Sequence, residues 1–110
     1  MIKKLNLETG SPDTQTAIQR LKNTLPTYKR QGCKAVLIVH GYGSTGTGGS
    51  IKTAVRRCLS EPSMVGLVRL VVAGEDWINR KRDALSICGA LAQFEREIAS
   101  NPGITLVILR

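Results

Sequence analysis

A small α/β sandwich in the order βαβαβ(α)β is the fold class the sequence predicts, and three observations carry it. Ala35-Val36-Leu37-Ile38-Val39 is a β-branched apolar run bounded by turn residues, as expected of a strand buried on both faces. After His40 the chain enters Gly41-Tyr42-Gly43-Ser44-Thr45-Gly46-Thr47-Gly48-Gly49-Ser50, a stretch that only a loop accommodates easily. Ile51, Ala54, Val55, Cys58 and Leu59 then recur at the i, i+3, i+4, i+7, i+8 spacing of one helical face. Strand, glycine loop and helix together put a histidine and a row of backbone N–H groups at the carboxyl end of a strand. Open α/β sheets keep their binding crevices there.

The flanking elements follow in order. Lys4 and Asn6 alternate with Leu5 and Leu7, which predicts a short strand over residues 3–7. Ser11-Pro12-Asp13 has the composition of a helix start, with Ser as cap and Pro in the first turn. Ala17, Ile18, Leu21, Leu25 and Tyr28 mark the buried face of that helix. Pro26 is expected to kink it or end its regular part, and Gly32 to close it. Glu61-Pro62-Ser63 ends the second helix, and Val65 to Ala73 reads as a third strand broken only by Arg69. Leu85, Cys88, Leu91, Ala92 and Ile98 fit a third helix from about Asn79 to just before Pro102. Ile104 to Leu109 is the last buried strand. With no repeat or linker, residues 1–110 are expected to form one domain around one core.

Charge is the loudest bulk signal. Sixteen Lys and Arg against eight Asp and Glu leave a formal +8 on 110 residues, which attracts polyanions, most commonly nucleic acid. No apolar run approaches the ~20 residues of a membrane span, so no membrane partner is expected. The N-terminus lacks the apolar core of a secretory signal. The three cysteines, Cys33, Cys58 and Cys88, are odd in number and widely spaced, which suits reduced, buried thiols and a cytoplasmic location.

The loop admits several ligands on paper. Gly41-Tyr42-Gly43-Ser44-Thr45-Gly46 matches GxGxxG, but the helix is expected some three or four residues beyond Gly46. The acid expected ~20 residues further on falls on Glu61, at a helix end. A phosphate loop of the NTPase kind lacks its Lys-Ser/Thr pair, because Gly49-Ser50 stands there and Lys52 comes too late. What remains is generic anion binding by exposed N–H groups next to a helix start, or a loop that binds nothing. Lys52 and Arg56 lie four apart on one helical face with Arg57 beside them. Together with Lys3, Lys4, Lys29, Arg30 and Lys34 they are expected to form a basic rim around the loop. His40 reads either as a satisfied core histidine or as a residue whose ring reaches solvent and ligand at the strand-to-loop corner. No second His or Cys stands near it to make a metal site, and no cofactor is expected.

These residues resemble the small MutS-related (Smr) domain family. The resemblance rests on strand-His40-Gly41-Tyr42-Gly43-x-x-Gly46 followed by Ile51-x-x-Ala54-Val55-x-x-x-Leu59. More weakly, it rests on Leu5-Asn6-Leu7-Glu8-Thr9-Gly10 and on Pro102-Gly103 leading into the last strand. The resemblance implies a two-layer sandwich on a mixed four-stranded sheet, similar to the C-terminal domain of translation initiation factor three. It implies nucleic-acid binding and, as in several members, endonuclease or nicking activity on DNA or RNA. The chain departs from the family in three places. Asn6 and Glu8 stand where the family has Asp and His, Tyr42 stands where a basic residue is common, and residues of about 75–101 look like a helical insertion.

Three function classes follow. In the first, Gly41, Tyr42, Gly43, Ser44, Thr45 and Gly46 bind DNA or RNA with Lys52, Arg56 and Arg57, and cleavage is weak or absent. Tyr42 is suited to stacking on a base. In the second, Glu8 as base and His40 as acid keep a nuclease alive, with or without a divalent metal. In the third, the chain is an interaction module with Trp77 as its anchor.

Overall fold

The structure is a computed structural model that describes residues 1–10, 13–41 and 47–110. Its elements are β1 (Ile2–Asn6), α1 (Thr14–Arg30), β2 (Ala35–Val39), α2 (Thr47–Leu59), β3 (Val68–Ala73), α3 (Trp77–Ile87), α4 (Glu95–Ile98) and β4 (Ile104–Leu109). Single 3-10 segments cover Pro62–Met64, Gly74–Asp76 and Gly89–Phe94. The four strands form a mixed sheet in the order β1-β2-β4-β3. β1 runs parallel to β2, and β4 lies antiparallel to both of its neighbours.

Alternation along β2 and β4 divides the core in two. Val36, Ile38 and Val107 pack with Leu21, Leu25, Val55 and Cys58 under α1 and α2. Ala35, Leu37, Leu106 and Ile108 pack with Trp77, Ala84, Leu91 and Ile98 from the segment between β3 and β4. The α1–α2 layer on the sheet is the expected sandwich, and the Trp77–Ile98 segment covers the sheet's other face. Burying leucines such as Leu21 and Leu25, both 0% exposed, contributes about 1.5–3 kcal/mol each. All three cysteines are buried and free.

Several element boundaries differ from the sequence expectation. α1 begins at Thr14, and its cap is Asp13, whose carboxylate accepts from the Thr16 N–H at 2.7 Å. Ser11 and Pro12, the expected cap and first residue, lie outside the described residues. Pro26 does not end the helix, which continues to Arg30. The packing of Leu21, Leu25 and Tyr28 offsets the one missing donor. Gly32 closes α1 at φ +85°, where its N–H bonds the Lys29 carbonyl and that of Cys33 bonds Tyr28, the paired pattern of a left-handed helix end. β3 starts at Val68, because Pro62–Met64 coils first and buries Met64. The expected third helix is broken at Cys88 and Gly89 into α3, a 3-10 segment and α4, since Cys88 takes an extended conformation.

Candidate nucleic-acid interface

Parallel pairing brings the carboxyl ends of β1 and β2 side by side, with Asn6 opposite Val39 and the Leu7 N–H on the Val39 carbonyl at 2.8 Å. The Asn6 side chain accepts from the Glu8 N–H at 2.8 Å, which turns the chain sharply out of β1. On the neighbouring strand, the Gly103 carbonyl accepts from both His40 (2.9 Å) and Gly41 (3.1 Å), pinning the end of β2 to the turn before β4. Asn101 braces that turn by accepting from the Gly103 N–H at 2.9 Å.

The φ of +73° at Gly41 favours glycine, and the Glu8 carboxylate lies so close that an added β-carbon would push that exposed side chain aside. The two residues read from sequence as a possible acid–base pair, Glu8 and His40, are therefore brought to the same corner. Their environments differ. Glu8 is exposed, whereas His40 is fully buried.

The ring of His40 does not reach solvent, contrary to one of the two expectations for it. It points from β2 toward the α1–α2 face and is held at both nitrogens. Nδ1 lies 2.6 Å from the Gly41 carbonyl and Nε2 2.7 Å from the Thr105 hydroxyl. A carbonyl only accepts, so Nδ1 carries the hydrogen, and in the neutral ring Nε2 accepts from Thr105. Burial pushes the His40 pKa below its ordinary 6.5, and the nearby Arg56 and Lys52 push it the same way. The Gly41 bond and Glu75 oppose them. The neutral imidazole thus ties β2, β4 and the start of the glycine loop together.

α2 begins at Thr47, earlier than its apolar spacing suggested, so Gly48, Gly49 and Ser50 are helical and the helix starts directly after Gly46. Lys52 and Arg56 do share a face, and Glu75 grips both, at 3.0 Å and 2.7 Å. Although burial opposes it, these bonds and a backbone N–H hold the Glu75 carboxyl well below its usual value, at about 2. Arg56 Nε is buried without a partner among the described residues. Arg57 is exposed on the adjoining face and lines a groove of about 590 Å³ with Thr14, Gly49, Ser50 and Thr53, between the starts of α1 and α2. Tyr42, Gly43, Ser44, Thr45 and Gly46 lie outside the described residues.

Of the eight cations expected in the basic rim, only Lys52, Arg56 and Arg57 stand on the helix that follows the loop. Lys3 is level with Val36, far down β1, where it bonds Gln31 and sits 4.8 Å over the Tyr28 ring. Lys4 pairs with Glu97 on the opposite face of the sheet, and Lys29 reaches the Gly66 carbonyl. Because α1 runs back against β1, Arg30 and Lys34 also fall at the end of the sheet away from the glycine loop. A cation that the spacing did not mark does stand at the loop end: Arg20 Nη1 lies 3.5 Å from the Asn6 carbonyl. Two further residues were missed, Thr105 and Glu75. Thr105 is the one polar residue inside Ile104–Leu109, and Glu75 is the first acid after β3. Trp77, weighed as an interface anchor, is 0% exposed and donates its indole N–H to Glu95 at 2.7 Å, so it belongs to the core. Among the described residues no group of three or more His, Cys, Asp or Glu side chains is arranged to hold a metal ion. No helix among them is long and apolar enough to cross a membrane.

The family model for the Smr domain matches residues 12–77, ending at the first residue of α3. Among solved structures, the crystal structure of the Smr domain of Thermus thermophilus MutS2 superimposes with a TM-score of 0.61. The likeness covers 98% of each chain at 18% sequence identity, which speaks for the fold alone. No curated protein sequence matches.

Proposed function

Because the chain belongs to the Smr domain family, whose members bind nucleic acid and in several cases nick it, we propose that it binds DNA or RNA through its phosphate backbone at the carboxyl ends of β1 and β2. The observation that carries this reading is the junction at Gly41. A glycine held at φ +73° leads from a braced strand end into the loop, and α2 starts one residue past Gly46. Helix N-termini present free N–H groups and a partial positive charge to an anion. In this reading Gly41 to Gly46 contact the phosphate, Tyr42 stacks on a base, and Arg57 faces the groove beside the helix start. Lys52 and Arg56 add positive potential, reduced by Glu75.

In this reading cleavage is weak. His40 is neutral, buried and engaged at both nitrogens, so it shapes the loop and delivers no proton to a leaving oxygen. One observation favours the alternative: the exposed Glu8 carboxylate lies directly against Gly41, where a base would stand to activate an attacking oxygen. An anisotropy titration with labelled single- and double-stranded oligonucleotides across a salt series tests binding. Affinity that fails to weaken as salt rises sinks the phosphate-contact reading. A supercoiled-plasmid and RNA cleavage assay, with and without Mg²⁺, compares the parent with Glu8→Gln. Turnover lost in Glu8→Gln with binding retained selects the nuclease reading.

A further inference from the structure

The positive charge that the glycine loop does not use gathers at the opposite end of the sheet. A compact pocket of about 190 Å³ opens there, lined by Lys34, Arg69 and Arg110 over Ile87, Cys88 and Ile108. No Asp or Glu side chain is among its lining residues, and none of the three cationic side chains is in an ion pair among the described residues. Like charges crowded into one recess repel one another, so the arrangement gains most when an anion enters.

The backbone aims these groups deliberately. The register between β3 and β4 slips between Val68 and Leu70, which makes Arg69 the extra residue of a β-bulge. Bulges re-aim a side chain at the edge of a sheet. Arg69 consequently turns to the α3 side, where Leu70 also packs, and lines the recess with Ile87 and Cys88. Lys34 is pinned at the start of β2, its N–H on the Met1 carbonyl (2.8 Å) and its carbonyl accepting from Leu109 (2.9 Å). Arg110, at the rim of the pocket, is held by its backbone N–H on the Leu67 carbonyl and its Nε on the Val65 carbonyl.

We propose that this recess is a second binding site, one that takes a single phosphate group. The Arg69 guanidinium fork matches tetrahedral oxyanion geometry, and the cationic side chains of Lys34 and Arg110 beside it suit a dianion better than a lone carboxylate. The volume is below the ~300 Å³ at which pockets begin to enclose a whole small-molecule ligand, so one phosphate enters and whatever carries it stays outside. The inference does not depend on nucleic-acid binding at the glycine loop.

The test is a ¹H–¹⁵N NMR titration of the full chain with inorganic phosphate, ionic strength held constant with chloride. Saturable shifts confined to residues around 34, 69, 88 and 110 are expected. Arg69→Gln should weaken binding roughly tenfold, the effect of one lost charge-assisted hydrogen bond, and Arg69→Lys should recover part of it. Lys34→Gln provides the same readout if the Arg69 variants fail to fold. A parallel titration compares an oligonucleotide bearing a 5′-phosphate with its 5′-hydroxyl counterpart. Shifts at this pocket only with the phosphorylated strand identify a nucleic-acid end as the source, and shifts with inorganic phosphate alone identify a free phosphate compound. Shifts that never saturate, or that are unchanged in both Arg69→Gln and Lys34→Gln, overturn the proposal.

Discussion

His40 shows how much one buried polar residue decides. Its ring is charged in acid once unfolded but resists protonation when folded, because burial and two nearby cations disfavour the imidazolium. The unfolded chain therefore takes up the proton first, so stability is full above pH 6.5 and falls as pH drops below it. Glu75 adds a separate loss that begins only below pH 4.5 and runs toward its folded value of about 2. Thermal unfolding at half-unit pH steps should show two distinct declines, with the upper one missing in His40→Asn. Thr105→Val removes the donor that satisfies Nε2 and should cost about 1–3 kcal/mol in urea unfolding. Gly41→Ala forces a β-carbon into a left-handed backbone at a cost of about 1–2 kcal/mol and displaces Glu8, so both stability and oligonucleotide affinity should fall.

Among the elements, α1 is the clearest case of packing overriding local preference. Pro26 costs the helix interior about 3 kcal/mol relative to alanine, while its stiffness lowers the entropy of the unfolded chain by the equivalent of ~0.4–1 kcal/mol. Pro26→Ala should therefore stabilise the protein by about 2 kcal/mol by chemical denaturation. A smaller gain would mean that the turn around Lys22 is already relaxed. β2 and β4 were legible to the residue from their apolar runs, because each strand is buried on both faces and tolerates little else. The segment after β3 was not. Its apolar spacing fits one helix, but Cys88 and Gly89 interrupt it, and only contact with the second sheet face selects the broken path.

On the scale of the whole molecule, the charge divides between two ends. Cations at the glycine-loop end are partly neutralised, since Lys52 and Arg56 share Glu75. Lys34, Arg69 and Arg110 at the far end have no such partner among the described residues. If Arg57 touches a phosphate, Arg57→Ala should reduce the slope of log affinity against log salt by about 1, with no change in sequence preference. An unchanged slope would remove Arg57 from the contact.

By itself the sequence determined the strand–glycine–helix unit, its kinship, the strands at the centre of the sheet and the cationic balance, because these follow from local periodicity and composition. Tertiary structure alone decided which charges meet. Glu75 reaches Lys52 and Arg56 across at least nineteen residues of chain, Thr105 closes on His40 across sixty-five, Lys3, Lys29, Arg30 and Lys34 are carried away from the loop by the direction of the elements that hold them, and Lys4 falls on the other sheet face. Spacing along a chain orders residues on one element. Only the pairing and direction of elements determine which side chains share a corner.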